Sequence, residues 1–120
     1  MKVIVLMVAL LGAASANAST MLLWSCKLLE GHSIEEVKTI NTAWVEAVNE
    51  LSEYQVKSYV LESIASSDMT AFRYIDVFEN PVHWGQIRSK MEGGALDAFE
   101  AQFNQATQCE VASLYEATES

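Results

Sequence analysis

Apolar and polar positions along the chain fall into two kinds of pattern, and their alternation divides it into six elements. From Ile34 to Leu51 the apolar residues Ile34, Val37, Ile40, Trp44, Val48 and Leu51 recur every three or four positions. Glu35, Lys38, Asn41, Glu46, Asn49 and Glu53 fall between them. That spacing places one stripe on one side of a helix, with the polar set opposite. The stretch opens on Ser33 with Glu36 three residues later, which predicts a capping box in which each side chain satisfies the other's backbone N–H. A second helical pattern begins at Asn80-Pro81, a cap followed by a residue suited to the first helical turn. It carries Trp84, Ile87 and Met91, breaks at Gly93-Gly94, and resumes with Leu96, Phe99, Phe103 and Ala106.

The remaining segments lack helical spacing and read as strands. They are Met21–Leu29, Val56–Ala65, Ala71–Glu79 and Gln108–Glu116. Glu30-Gly31-His32 supplies a turn with Gly31 free to take a positive φ. Ser66-Ser67-Asp68 joins the second and third strands as an antiparallel hairpin. The resulting order is β-α-β-β-α-β, the ferredoxin-like α+β plan, with strands side by side as 4-1-3-2 and both helices on one face of an antiparallel sheet.

The beginning of the chain is patterned differently. Lys2, the apolar run Val3–Ala14 and the small residues Ala16-Asn17-Ala18 have the layout of an export signal cleaved after Ala18. Twelve helical residues rise about 18 Å, short of the roughly 30 Å hydrocarbon layer, so a permanent span is not expected. A signal at 1–18 and one ferredoxin-like domain at 19–120 follow, with the mature protein periplasmic or secreted. There cysteines pair, and only Cys26 and Cys109 are available. The competing reading is a lipoprotein, since Leu23-Trp24-Ser25-Cys26 faintly resembles a lipobox. Trp24 is too large for that motif, and a better peptidase site lies upstream. The 4-1-3-2 order makes the first and last strands neighbours, and these hold the two cysteines. With Cys26 opposite Cys109, the register sets Trp24 against Val111, Ser25 against Glu110 and Leu22 against Ser113. Leu22, Trp24, Cys26 and Leu28 would then share the helix-facing core with Val111 and Tyr115.

Charge narrows the choice of partners. The chain carries −9, and loss of Lys2 leaves six basic residues against sixteen acidic ones, or −10. A scattered negative surface opposes phosphate backbones and anionic lipid, so neither nucleic acid nor membrane is an expected partner after signal cleavage. On the sheet face away from the helices, polar alternation fails at Leu23, Leu29, Tyr59, Leu61, Ile75, Val77, Ala112 and Leu114. A second copy of the same sheet is the expected cover, giving a homodimer.

This order, the paired sheets and the run Cys26-Lys27-Leu28-Leu29-Glu30-Gly31-His32-Ser33 resemble the dimeric α+β-barrel group. Within it they are similar to small exported proteins of marine bacteria with a "C-x-L-x-x-G-x-[ST]" strand, which have no assigned biochemistry. The resemblance implies the ferredoxin-like fold and the dimer. For activity it leaves cofactor-independent monooxygenases, haem-degrading enzymes and stress-related proteins side by side.

Candidate chemistry is sparse. Asp76 alternates with Phe72, Tyr74 and Phe78, so its carboxyl is expected under the helices, where burial would raise its pKa and make it a base. A hydrogen bond to a nearby tyrosine or backbone N–H is the plainer account, and Glu62 is the candidate neighbour across the hairpin. His83 and Trp84, beside Asn80, invite comparison with haem-degrading enzymes. That family's first-strand asparagine is missing here, and His83 in the first helical turn is expected to point to solvent. His32 and His83 fall in separate segments, and no metal-binding, phosphate-binding or nucleophile motif is present, so no cofactor is expected. Two functions remain: a non-enzymatic homodimeric module holding a small apolar ligand, or a cofactor-independent monooxygenase. An enclosed pocket reached by His83 or Asp76 would favour the second, and a filled core the first.

Overall fold

The computed structural model describes residues 18–120, apart from the side chain of residue 111, so the expected signal peptide lies almost wholly outside the described residues. Among the described residues, four strands and three helices follow in the order β1 (Ala18–Leu28), α1 (Ile34–Leu51), β2 (Lys57–Leu61), β3 (Ala71–Phe78), α2 (Pro81–Glu92), α3 (Asp97–Ala106) and β4 (Thr107–Thr118). The strands form one antiparallel sheet in the order β2-β3-β1-β4. This is the ferredoxin-like arrangement expected from the sequence.

Local chemistry explains where the helices start. The Glu36 N–H donates to Ser33 Oγ at 3.3 Å, and the His83 N–H donates to Asn80 Oδ1 at 2.9 Å. The reciprocal half of the capping box is not made. Glu36 instead takes His32 Nδ1 at 2.7 Å, because the turn at Gly31 (φ 82°) brings the imidazole within reach. The break in the second helical pattern is real: Gly93 caps α2 and Gly94 takes φ 92° before α3 begins.

Cys26 and Cys109 form a disulfide directly across β1 and β4. Cys26 thus lies mid-strand in a bond to β4, which leaves no place for the lipoprotein reading. Beyond the disulfide the expected register fails. Trp24 pairs with Ala112, Leu23 with Ser113 and Leu22 with Leu114, because β4 bulges by one residue between Cys109 and Ala112. One extra residue exchanges the faces of everything after it. Ala112 and Leu114, expected on the helix-free face, line the helix side, while Tyr115 turns out to the open face and is 54% exposed.

The second strand is also shorter than expected, ending at Leu61 rather than Ala65. Glu62 lies past its end and reaches Lys38 at 3.5 Å, while Asp76 pairs across the hairpin with Ser58. The expected Glu62–Asp76 approach does not occur.

Two buried clusters hold the helices on the sheet. One gathers Trp44, Val48, Val56, Phe78, Ile87 and Leu96, and the other Cys26, Val37 and Phe72. Val37 and Val48 are fully buried, each contributing roughly 2 kcal/mol by removal from water. Phe72 and Phe78 stand at opposite ends of the inner face of β3. Tyr74 and Asp76 lie between them, where the clusters do not close.

Candidate functional site

The gap between the two clusters is a cleft between sheet and helices. Its outer lobe is an open hollow of about 570 Å³ walled by Leu22, Trp24, Trp44, Phe78, Trp84 and Leu114, with Asp76 entering from the sheet and Glu100 from α3. Its inner lobe, about 280 Å³, shares Trp24, Trp44, Asp76 and Glu100 and adds Tyr74, Asn41 and Phe103. The two lobes together fall in the size range of small-molecule sites, which are mostly apolar with a few convergent polar groups.

Asp76 is the central polar group. β3 presents it inward between Leu22 of β1 and Ser58 of β2, and it is 5% exposed. Ser58 Oγ donates to Asp76 Oδ1 at 2.6 Å, and Asn41 Nδ2 donates to Ser58 Oγ at 3.0 Å. The serine is thereby oriented by α1 towards the carboxylate. No donor among the described residues reaches the second oxygen, Oδ2, which is left to the cleft. Burial raises the carboxyl to about 6, opposed by the Ser58 hydrogen bond, because an ion loses solvation there without gaining a cation. Glu100 on α3 is also raised, by burial first and by the neighbouring Asp97 second. Tyr74 is pushed well above the ordinary phenol range by burial, with smaller contributions from Asp76 and Glu100. Its ring stacks near Trp24, Phe72 and Phe103, with centroids 6.0, 6.3 and 5.9 Å away.

Trp84 lines the outer lobe as expected of a residue on the α2 stripe, and Arg88 lies over its ring at 5.4 Å from the centroid. His83 is elsewhere. Far from pointing to solvent, it is 1% exposed and sits outside the lining of either lobe. Its Nδ1 accepts the Glu79 N–H at 3.0 Å, and its Nε2 lies 2.6 Å from Ser52 Oγ, which in turn donates to the Tyr54 carbonyl. A ring that accepts at Nδ1 carries its proton on Nε2, and burial lowers its pKa, so it is neutral at physiological pH. Tyr54 and Phe78 pack edge-on at 5.4 and 5.6 Å. With both nitrogens engaged, this imidazole ties α2 to the end of α1. The sequence alone missed this because Ser52 is 31 residues away.

The residues that orient Asp76 were also not singled out. The sequence pattern puts Asn41 on the outer face of α1, yet it is buried. The series Val37, Asn41, Trp44, Val48 runs at steps of four, three and four, and that was the available signal. Glu100 carried none, since an acid in the first turn of a helix is ordinary. Among the described residues no three His, Cys, Asp or Glu side chains converge as a metal site. A further hollow of about 550 Å³ lies on the helix-free side around Ser25, Arg73 and Glu110. Among the described residues, no ion pair to Arg73 and no buried polar group distinguishes it.

No protein-family model matches the chain, and no curated protein matches it in sequence. Solved structures do match. SnoaB from Streptomyces nogalater, described as a cofactor-independent oxygenase, is similar at TM-score 0.61 and 13% identity, over 88% of this chain and 97% of that one. An Arabidopsis thaliana protein is similar at TM-score 0.53 and 8% identity, over 84% and 95% of the two chains. A dimeric ferredoxin-like protein of unknown function from Thermobifida fusca is similar at TM-score 0.53 and 7% identity, over 86% and 92%. The fold is that of the dimeric ferredoxin-like proteins. At these identities the likeness speaks for the fold alone, and the narrower resemblance to exported proteins of marine bacteria has no counterpart among the matches.

Proposed function

We propose that this chain is an exported homodimeric binding protein whose cleft holds a small, largely apolar, ring-bearing ligand. The carrying observation is the unfilled aromatic cleft, with Trp24, Trp44 and Trp84 around one buried carboxyl. A domain of this size gains stability by closing its core, so a gap of several hundred cubic ångströms between two well-packed clusters favours an occupant. Export rests on the leader-like residues 1–18 and agrees with the Cys26–Cys109 disulfide; the mature domain is taken to begin at Ser19. The dimer rests on the helix-free face, where Met21, Leu23, Tyr59, Ile75, Val77 and Tyr115 form an apolar field. The likeness to a fold-mate described as dimeric supports it.

The test is mass spectrometry of the mature protein purified under native conditions from the periplasm, followed by denaturation. A bound small molecule that is lost on Trp44→Ala supports the reading. An empty protein whose tryptophan fluorescence is unmoved by a panel of aromatic compounds would count against it.

One observation favours a second reading. Asp76, ionised above about pH 6 and with one oxygen free, is suited to remove a proton from a phenol or carbon acid in the cleft, as a cofactor-independent monooxygenase would require. Oxygen uptake with electron-rich phenols, abolished in Asp76→Asn, would promote that reading above simple binding.

A further inference from the structure

We propose that the group recognised in the cleft is an organic cation: an amine or quaternary ammonium carried on a flat apolar ring. This rests on the small-molecule reading above and adds the chemical class. Three observations point the same way. First, indoles line both lobes, Trp24 and Trp44, joined by Trp84 in the outer lobe and by the phenol ring of Tyr74 in the inner. The negative face of an aromatic ring attracts a cation, tryptophan most strongly, and rings arranged around a cavity are a recurrent ammonium site. Second, the carboxyls that face the cleft from the sheet and from α3, Asp76 and Glu100, have no basic partner among the described residues. Asp76 is more than nine-tenths buried and lines both lobes, and its Oδ2 has no donor among the described residues and is not sealed from the cleft. Third, α2 supplies one basic group to the lining, Arg88, and it is already neutralised by Glu92 at 3.0 Å while lying over Trp84 at the exposed rim. That guanidinium shows the Trp84 ring accepting a positive charge from the chain itself.

The alternatives fit less well. An anionic ligand would meet the carboxyls of Asp76, Glu100 and Glu92 and no unpaired cation among the described residues. A neutral one would leave Asp76 ionised and uncompensated at neutral pH, which burial penalises. A cation both compensates that charge and meets the ring faces, and the chain's net charge of −9 raises the local concentration of cations around it.

The experiment is isothermal titration calorimetry of the mature oxidised protein at pH 7.5 with three probes sharing one ring system: naphthylethylammonium, naphthylethanol and naphthylacetate. The ammonium should bind at least about ten-fold more tightly than the alcohol, with the acetate weakest. In Asp76→Asn the ammonium should lose about ten-fold while the alcohol is unchanged, and Glu46→Gln, outside the cleft, should alter none of them. An alcohol as tight as the ammonium, or an acetate tighter than both, would overturn the cationic class and leave the small-molecule reading standing. No measurable binding of any of the three would remove both.

Discussion

Replacing Asp76 by asparagine removes a carboxyl that titrates at about 6 in the folded chain against an ordinary 3.8. Because the folded value is the higher one, the folded state holds the proton more tightly. The stability conferred by that proton is complete below about pH 3.8 and is lost as pH rises through 6. Each pH unit between the two values is worth about 1.4 kcal/mol, so ionised Asp76 costs the fold about 3 kcal/mol at neutral pH. Screening takes little from this figure, since the residue is 5% exposed. Asparagine has nearly the same shape, and its oxygen can still accept from Ser58 Oγ, now 2.6 Å from the carboxylate. Its amide must find a partner in the cleft, which takes back part of the gain. Asp76→Asn is therefore expected to stabilise the protein by about 1 to 3 kcal/mol at pH 7.5, and to match the parent near pH 4. Urea unfolding followed by tryptophan fluorescence at both pH values measures this directly. A variant equally destabilised at both would mean that Asp76 is held by contacts that the carboxylate alone makes, and the case for an uncompensated charge would collapse.

Three further outcomes can be checked on the same material. Cys26→Ser with Cys109→Ser opens a link between residues 83 apart and should lower stability by about 4 kcal/mol on chain-entropy grounds, read as a drop in urea midpoint. Unmodified protein from the periplasm should react with no thiol reagent until reduced. His83→Ala leaves the Glu79 N–H and Ser52 Oγ without their partner and opens a void beside Phe78, so a loss of about 2 to 4 kcal/mol is expected. Ligand affinity should be retained in that variant at temperatures where it stays folded, because His83 is outside the cleft. Ile75→Glu on the helix-free face should convert a dimer to a monomer in light scattering, whereas Glu46→Lys should not; a parent that is monomeric at high micromolar concentration would refute the interface.

What the sequence made legible is what local pattern and chain order control. Ser33, Asn80 and Gly94 mark helix ends through bonds made within a few residues, and all three act there. The sheet order could be reached because two cysteines at the ends of the chain and the β-α-β-β-α-β plan independently require the same pair of strands to touch. The failures share a different cause. A bulge alters no periodicity that can be seen before the partner strand is known, yet one residue of slip carried Ala112 and Leu114 into the cleft and Tyr115 out of it. Likewise Ser58, Asn41 and Glu100 become a setting for Asp76 only through register and packing, since each is unremarkable in its own segment.

The same distinction explains why the sequence pattern points to Asp76 and misplaces His83. An acid alternating with three aromatic residues on a strand contradicts its surroundings, and such local contradictions concentrate where a chain does something other than fold. His83 contradicts nothing: a histidine in a first helical turn can face water or be buried, and the choice is made by Ser52 and the Glu79 N–H. Once buried, its two nitrogens are both satisfied, as a structural group's should be. Asp76 is satisfied on one side alone, and its second oxygen opens on a space that the chain does not fill. A fully bonded polar group stabilises what is already there, whereas a half-bonded one beside a cleft is fitted to something that arrives. Under the binding function proposed above, that asymmetry sets His83 in the architecture and Asp76 at the ligand.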